Sequence, residues 1–159
     1  MESSEAIALR SLLEYQRVAA LATLHEGEPA VSMTPYAWFP QGRGFVIHVS
    51  RLAMHTRDML ANPAVGLLMT AAPDPAVSPL ALPRVSFRGC ARQCLPAAVE
   101  HEPARAAYLT RFPESMELFS FTDFSLFVVE VRSARYVAGF GRAMTVGADQ
   151  FAALMHGTV

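Results

Sequence analysis

The chain has 159 residues with a formal net charge of −1, and all 13 of its basic residues are arginine. Because no lysine occurs, Schiff-base chemistry and a P-loop lysine are excluded, and anions must be bound by arginine, histidine, hydroxyl or backbone N–H groups. The near-zero charge also argues against nucleic-acid binding, which normally requires a strongly basic face.

The chain is apolar for a protein without a membrane span, with 52% hydrophobic and 17% charged residues. Its longest segment without a charge, 59–73, contains Asn62 and Pro63 and is shorter than the roughly 20 apolar residues that a spanning helix needs. The start, MESSEAIALR, is acidic before it is apolar and lacks the basic start of a secretory signal, so we expect a cytoplasmic protein. A large apolar subunit interface best explains the low charge, and we therefore expect a homodimer.

The first part of the chain predicts a strand meander between two helices. The spacing of apolar residues, including Ile7, predicts a helix over 4–17. Strands are predicted at 18–24, 30–39 and 44–50. Proline and two glycines in PQGRG mark a hairpin turn between the last two strands. Helical character over 51–63 ends at Asn62-Pro63.

The second part predicts further strands with short helices between them. The strands are predicted at 64–70, 83–95, 125–131 and 135–146, the last bent at Gly139 and Gly141. Residues 96–111 are predicted as two short helices separated at Pro103, and 147–155 as a terminal helix. About seven strands with scattered helices predict a mainly β (α+β) fold, an antiparallel barrel in a single domain over 1–159.

The polar corner between the third predicted strand and the second predicted helix is the best candidate for an anion site. Its sequence, HVSRLAMHTR (48–57), joins a strand end to a helix start, where unpaired N–H groups and the helix dipole favour a phosphate. Its polar side chains are Ser50, Arg51, His55, Thr56 and Arg57. Hydroxyls and forked arginines would add hydrogen bonds and charge. The alternative interpretation is ordinary capping by solvated residues. His25, in the turn-like HEGEP segment, is not expected to join this group.

Three segments resemble the FMN-binding split-barrel superfamily, which includes the pyridoxamine 5′-phosphate oxidases and the haem-utilisation (HugZ-type) proteins. They are SRLAMHTRDMLANPAVGLLM (50–69), PRVSFRGCAR (83–92) and ARYVAGFGRA (134–143), in the family's order. The S-x-L-A-x-H-T-R pattern and the G-F-G-R-A stretch are more similar to the HugZ-type branch.

The resemblance implies a split antiparallel β-barrel with short peripheral helices, assembled as a homodimer with FMN in clefts at the subunit interface. A strand equivalent to residues 33–38 would run beside the flavin, mostly through its backbone. The flavin-binding positions implied for this chain are Thr34, Tyr36, Val49, Ser50, Arg51, His55, Thr56, Arg57, Arg84 and Arg142. His55 stands where the oxidases often have a phosphate-binding lysine.

Haem is the alternative cofactor that the resemblance implies. Haem-utilisation relatives bind haem through a histidine near the C-terminus, and His156 is the fourth residue from the end here. Its imidazole would be the axial ligand, and Asp123 would orient the ring. The competing interpretation is that His156 only ends a frayed helix.

Together these observations predict an FMN-binding flavoprotein, an oxidoreductase acting on an unidentified small-molecule substrate. The flavin performs the redox chemistry, so no side-chain nucleophile is needed. Vitamin B6 oxidation is not assigned, because true oxidases carry a C-terminal segment with tryptophan and arginine, and Trp38 is this chain's only tryptophan. The alternatives are a haem-binding or haem-degrading protein in haem iron utilisation, and a non-catalytic dimeric split barrel with a vestigial cleft.

Overall fold

The structure, a computed structural model, describes residues 3–156. In this part of the chain the helices are α1 (Ser3–Tyr15), α2 (Met54–Ala61), α3 (His101–Arg111) and α4 (Ala148–Met155). The strands are β1 (Val18–His25), β2 (Glu28–Pro35), β3 (Ala37–Phe39), β4 (Gly44–Ser50), β5 (Ala64–Thr70), β6 (Arg84–Cys94), β7 (Phe124–Gly139) and β8 (Arg142–Gly147). Short 3-10 segments lie at Pro40–Gly42, Pro79–Ala81 and Pro113–Ser120. None of the helices described is long and apolar enough to cross a membrane.

The eight strands form one antiparallel sheet in the order β2–β1–β5–β6–β7–β4–β3, with β8 also paired to β7. This order puts β2 and β3 at opposite edges, yet only Tyr36 separates them along the chain. Because consecutive Cα atoms are only about 3.8 Å apart, the sheet must curl until its two edges approach each other. The predicted antiparallel barrel with short peripheral helices is confirmed.

The long strand β7 is where the barrel splits. One edge of β7 pairs with β6 along most of its length, while the other edge pairs first with β4 and then with β8. A register shift between Arg88 and Gly89 places a bulge in the β6–β7 ladder, and bulges bend and twist a sheet. Beside it, a Cβ at Gly44 would overlap the carbonyl oxygen of Val129, so only glycine lets β4 approach β7 here.

The main core lies inside the curled sheet and is closed by α1 and α4. Phe151 of α4 is fully buried, and its ring centroid lies 5.0 Å from that of Phe87, which lies 5.0 Å from Phe45. Such edge-to-face pairs add about 0.5–1.5 kcal/mol beyond the area they bury. Helix α1 buries Leu9 and Leu13, whereas Ile7, predicted in the apolar stripe, is 57% exposed.

A second, smaller core lies on the opposite face of β4 and β7, beneath α3. Residues of β4 alternate between the two: Phe45 and Ile47 belong to the main core, while Val46 packs in the second core with Tyr108 of α3. The two-residue period of a strand produces this division, and it also directs His48 away from the barrel interior.

Two of the predicted strands differ from those observed. The run 30–39 is divided at Tyr36, because β2 pairs with β1 and β3 pairs with β4. Strand β7 continues to Gly139, and the chain then reverses through Phe140 and Gly141 to form β8. Gly141 has φ = +72°, which glycine adopts without strain, so the glycines make a hairpin rather than a bend within one strand.

Two of the predicted helices also differ. Pro103 does not break the helical segment, since it lies in the first turn of α3, where a backbone N–H has no intrahelical partner to lose. Helix α2 begins at Met54 with Ala53 as its N-cap, three residues later than predicted. Residues 51–53 therefore form a turn, which alters the geometry of the predicted anion corner.

Candidate functional site

At the corner between β4 and α2, two of the predicted anion donors bind groups of the same chain, one of them a carboxylate. Ser50 Oγ donates to Asp123 Oδ2 at 2.6 Å, and Arg51 N donates to the carbonyl oxygen of Asp123 at 2.7 Å. The guanidinium of Arg51 donates to the carbonyl oxygen of Thr122 at 2.8 Å. Two of the corner's expected anion donors, Ser50 and Arg51, are therefore engaged within the chain.

The start of α2 offers fewer free donors than the sequence predicted. Thr56 is fully buried, and its hydroxyl donates to the carbonyl oxygen of Ser50 at 2.7 Å. Its backbone N–H donates to the carbonyl oxygen of Ala53 at 3.2 Å. These bonds fasten the helix to the strand end. A phosphate at Ser50 would meet the Asp123 carboxylate, and like charges at that distance repel strongly.

Helix α2 carries two further polar residues of the predicted corner, His55 and Arg57. His55 Nδ1 lies 3.0 Å from Ser32 Oγ of β2, and burial lowers the pKa of this half-buried imidazole despite the nearby carboxylate of Asp58. The guanidinium of Arg57 is exposed and has no ion pair within residues 3–156. Arg57 is therefore the donor at this corner best placed to take an external anion.

A buried carboxylate that the sequence analysis missed lies directly below this surface. Asp58 is 4% exposed and accepts hydrogen bonds from Thr23 Oγ1 at 2.9 Å and from the His25 ring at 2.8 Å. The bond with His25 holds the pKa of Asp58 below its usual value, and the same bond raises the pKa of His25. The prediction that His25 would not join the α2 group is wrong, because it is the last residue of β1, against which α2 packs.

The remaining predicted flavin-binding residues occupy separate places. Val49 and Thr34 are buried, at 4% and 1% exposure. Tyr36 is fully buried, and its hydroxyl donates to the carbonyl oxygen of Leu13 at 3.0 Å. Burial raises the pKa of Tyr36 to about 12. The whole residue, backbone included, is closed to solvent in this chain, and its flavin-binding assignment stays a prediction.

The two remaining arginines among the predicted flavin-binding residues also lie apart from the corner. Arg84 donates to the carbonyl oxygens of Leu80 and Leu82 at 3.3 and 3.0 Å, fastening the proline-rich loop. Arg142 pairs with Glu5 of α1 at 2.7 Å. Any role of Arg142 in the α2 corner of the same chain would require these contacts to change, whereas a role in a partner subunit's cleft stays a prediction.

His156, the predicted axial ligand, ends α4 and is exposed. Its backbone N–H donates to the carbonyl oxygen of Ala152 at 3.1 Å, so the helical path extends to this residue. No hydrogen bond to its ring occurs among the residues the structure describes. Asp123, expected to orient that ring, accepts a hydrogen bond from Ser50 at 2.6 Å, and its assignment as a partner of His156 stays a prediction.

The curled antiparallel sheet defines an oxidase-type split barrel. Its marks are the long strand β7, one edge of which pairs first with β4 and then with β8, and the helix that follows β4. Residues 6–138 match the model of the family described as Pyridoxamine 5′-phosphate oxidase, and the chain belongs to this family. Its relatives place it in the haem-utilisation branch, as the resemblance in sequence implied.

Two relatives of known activity are haem oxygenases. A chloroplast haem oxygenase of Arabidopsis thaliana is 32% identical over 146 residues, which cover 90% of this chain and 43% of that protein. The haem oxygenase HutZ of Vibrio cholerae is 26% identical over 150 residues, which cover 93% of this chain and 84% of that protein. This chain thus spans less than half of the plant relative.

A solved structure shows the same fold. The haem-binding protein of Mycobacterium smegmatis is 31% identical and superimposes with a TM-score of 0.82. The match covers 96% of this chain and 62% of that one. Almost the whole chain therefore has its counterpart in a haem-binding relative.

Proposed function

We propose that this protein binds haem through His156 and acts in haem degradation. The observation that carries the proposal is an exposed histidine at the end of a well-packed helix, in a chain similar to two haem oxygenases and a haem-binding protein. Haem would supply the redox iron, and histidine is a common axial ligand of that iron. The flavin function predicted first from the sequence becomes the second candidate.

The packing of α4 supports His156 as a ligand rather than as a frayed end. Phe151 and Leu154 are almost completely buried in the main core. Arg10 of α1 donates to the carbonyl oxygen of Leu154 at 2.9 Å, which holds the last turn of α4 against α1. The imidazole thus projects from a fixed backbone, which lowers the entropy that is lost when it ligates a metal.

A homodimer is part of the proposal, and the outer face of β2, β1 and β5 is its support. On this face Val31 of β2 lies opposite Ala22 of β1. Met33 of β2 lies opposite Ala20 of β1, which in turn lies opposite Leu68 of β5. Val31 is 74% and Met33 59% exposed. Such a continuous apolar sheet face is characteristic of a subunit interface.

Titration of the purified protein with haemin tests the ligand. We expect a Soret band whose position or intensity changes in His156→Ala, while His101→Ala, which removes a histidine on α3, leaves the spectrum unchanged. An identical spectrum in the wild type and in His156→Ala contradicts the axial role. Iron release and loss of the porphyrin band with reductant and oxygen then test degradation.

Flavin binding at the α2 corner is the second candidate, and Arg57 is the observation in its favour. This exposed guanidinium belongs to the helix that the resemblance assigns to the FMN phosphate. The fit at Ser50 is poor, because the Asp123 carboxylate already accepts that hydroxyl's hydrogen bond. We therefore expect FMN to bind weakly, and the absorption spectrum that tests haem also detects bound flavin.

A further inference from the structure

A cavity of about 670 Å³ opens on the side of the sheet opposite the main core. It lies between the ends of β4, β6 and β7, helix α3 and the 3-10 segment Pro113–Ser120. Ligand sites typically have 300–1,000 Å³, so this cavity can hold a small molecule. His156 and the α2 residues are not among its lining, which makes it separate from the proposed haem site.

The wall of the cavity is aromatic. The rings of His48 and Phe119 are stacked in parallel, with centroids 3.9 Å apart and planes at 8°. The Phe124 ring lies 5.1 Å from His48 at a tilted angle. Flat π surfaces of this kind recognise planar aromatic groups through offset-stacked or edge-to-face contacts, whereas a saturated ring of equal size gains only from burial.

One positive charge at the rim lacks a carboxylate. The guanidinium of Arg105 lies 5.1 Å from the centre of the Phe119 ring and donates a hydrogen bond to Met116 Sδ at 3.4 Å. Arg105 forms no ion pair within residues 3–156. Glu102, the carboxylate at the same rim, lies 3.4 Å from His101 instead. The fork of Arg105 is therefore free to bind a carboxylate in bidentate fashion.

The floor contains a polar atom without a partner. His48 is 7% exposed, and its Nδ1 is buried with no hydrogen bond in the part of the chain described. Burial, reinforced by the nearby His101, lowers the pKa of His48 to about 4, so the ring is neutral at pH 7. Because the His48 ring is neutral, Arg105 supplies the positive charge for a ligand here. A ligand with one negative charge is therefore favoured.

We propose that this cavity binds a small planar aromatic monocarboxylate, with the ring beside Phe119 and Phe124 and the carboxylate on Arg105. The class follows from flat aromatic walls combined with a single unpaired guanidinium. Because the site shares no residue with the proposed haem ligand, its occupation does not depend on whether the protein binds haem.

Calorimetry and amide chemical shifts of the purified protein test the proposal with naphthalene-2-carboxylate as the probe. We expect a dissociation constant below about 1 mM, with shifts concentrated at Phe119, Phe124 and Ser125. Decahydronaphthalene-2-carboxylate, the saturated counterpart, should bind at least about tenfold more weakly. Naphthalene-2-carboxamide, which keeps the ring but has no charge, should show a similar loss.

Two variants decide whether Arg105 carries the recognition. Arg105→Gln should weaken the aromatic acid at least about tenfold, and Arg88→Gln, an exposed arginine on β6, should leave it unchanged. Unfolding curves confirm that both variants are folded. No binding at 5 mM (a ceiling on the order of five times the expected constant) overturns the proposal. So do equal binding of the saturated acid, an unaffected Arg105→Gln, and shifts located away from the cavity.

Discussion

Ser50 Oγ and Asp123 Oδ2 lie 2.6 Å apart, and this bond joins the end of β4 to the residue before β7. The backbone N–H of Arg51 bonds to the carbonyl oxygen of the same aspartate. Asp123 therefore both fixes the corner and puts a negative charge where a phosphate was expected. We therefore expect this one residue to affect both stability and the binding of a phosphate.

Replacing Asp123 with asparagine separates these two effects. The charge-assisted bond to Ser50 becomes a neutral one, so we expect the free energy of unfolding in urea at pH 7 to fall by about 1–2 kcal/mol. Affinity for FMN should rise several-fold in the same variant, because a charge that repels the phosphate is gone. Ser50→Ala is the matched control, and the double variant should cost less than the sum of the two. A lower FMN affinity in Asp123→Asn would contradict this reading of the corner.

The bond between His25 and Asp58 predicts a defined pH dependence of stability. The folded-state pKa of His25 is raised, so its contribution is complete below pH 6.5 and is lost as the pH rises through that raised pKa. The folded-state pKa of Asp58 is lowered, so its contribution is present above pH 3.8 and is lost as the pH falls through the lowered value. Both contributions are therefore complete between about pH 3.8 and pH 6.5, where the pair is most stabilising.

Urea unfolding from pH 6 to pH 9 measures the alkaline side of this dependence. The free energy of unfolding should decrease as the pH rises, and His25→Gln should remove most of that slope. Asp58→Asn should destabilise the protein at every pH in the range, since Thr23 and His25 both lose a charged acceptor. A slope that is unchanged in His25→Gln would show that other groups cause it.

Local patterns predicted the strands, but not the contacts between distant residues. Short apolar runs bounded by turns or polar residues identified β4 and β5 as strands. The pair Ser50–Asp123 is separated by 73 residues and the pair His25–Asp58 by 33, and no local pattern links them. Sheet order creates these contacts, since β1 lies beneath α2 and β7 beside β4.

The errors in the predicted elements also arise because tertiary context, rather than the local pattern, decides where an element ends. Polar residues at the bulge after Val131 interrupted the strand pattern, although pairing with β6 on one side and β8 on the other continues β7 to Gly139. Pro103 looked like a helix breaker, because its effect depends on its place in the helix rather than on its presence. Family resemblance, in contrast, identified the barrel and the haem-utilisation branch correctly.

His48 predicts an acid-sensitive contribution to stability. Its pKa is about 4 in the folded state and 6.5 for the free side chain, so protonation favours the unfolded chain. As the pH falls from 6.5 to 4, the folded state should lose on the order of 3 kcal/mol from this group. His101, Glu102 and Arg105 line the same cavity, and the nearby His101 adds to the lowering of the His48 pKa.

The variant His48→Phe tests this by keeping the stack on Phe119 and removing the titrating nitrogen. It should be more stable than the wild type by about 1 kcal/mol at pH 7, since an unpartnered buried polar atom is gone. The gain should grow towards pH 4.5. His101→Phe is the control on the cavity's rim. An equal acid dependence in His48→Phe and the wild type would show that folding does not lower the pKa of His48.

The apolar face of β2 predicts the oligomeric state. Multi-angle light scattering of the wild type should give the mass of a dimer. Val31→Glu with Met33→Glu should give a monomer, because burying two unpaired carboxylates at the interface weakens association more than about 100-fold, or about 3 kcal/mol. Val99→Glu is the matched control, as Val99 is 97% exposed and lies away from this face. A monomeric wild type, or a double variant that is still dimeric, would exclude this face as the interface.

Haem affinity measured on the same monomeric variant then shows whether the partner subunit completes the haem site. If one chain supplies every ligand of the iron, the monomer should bind haem as tightly as the wild type; if the partner contributes, its affinity should fall.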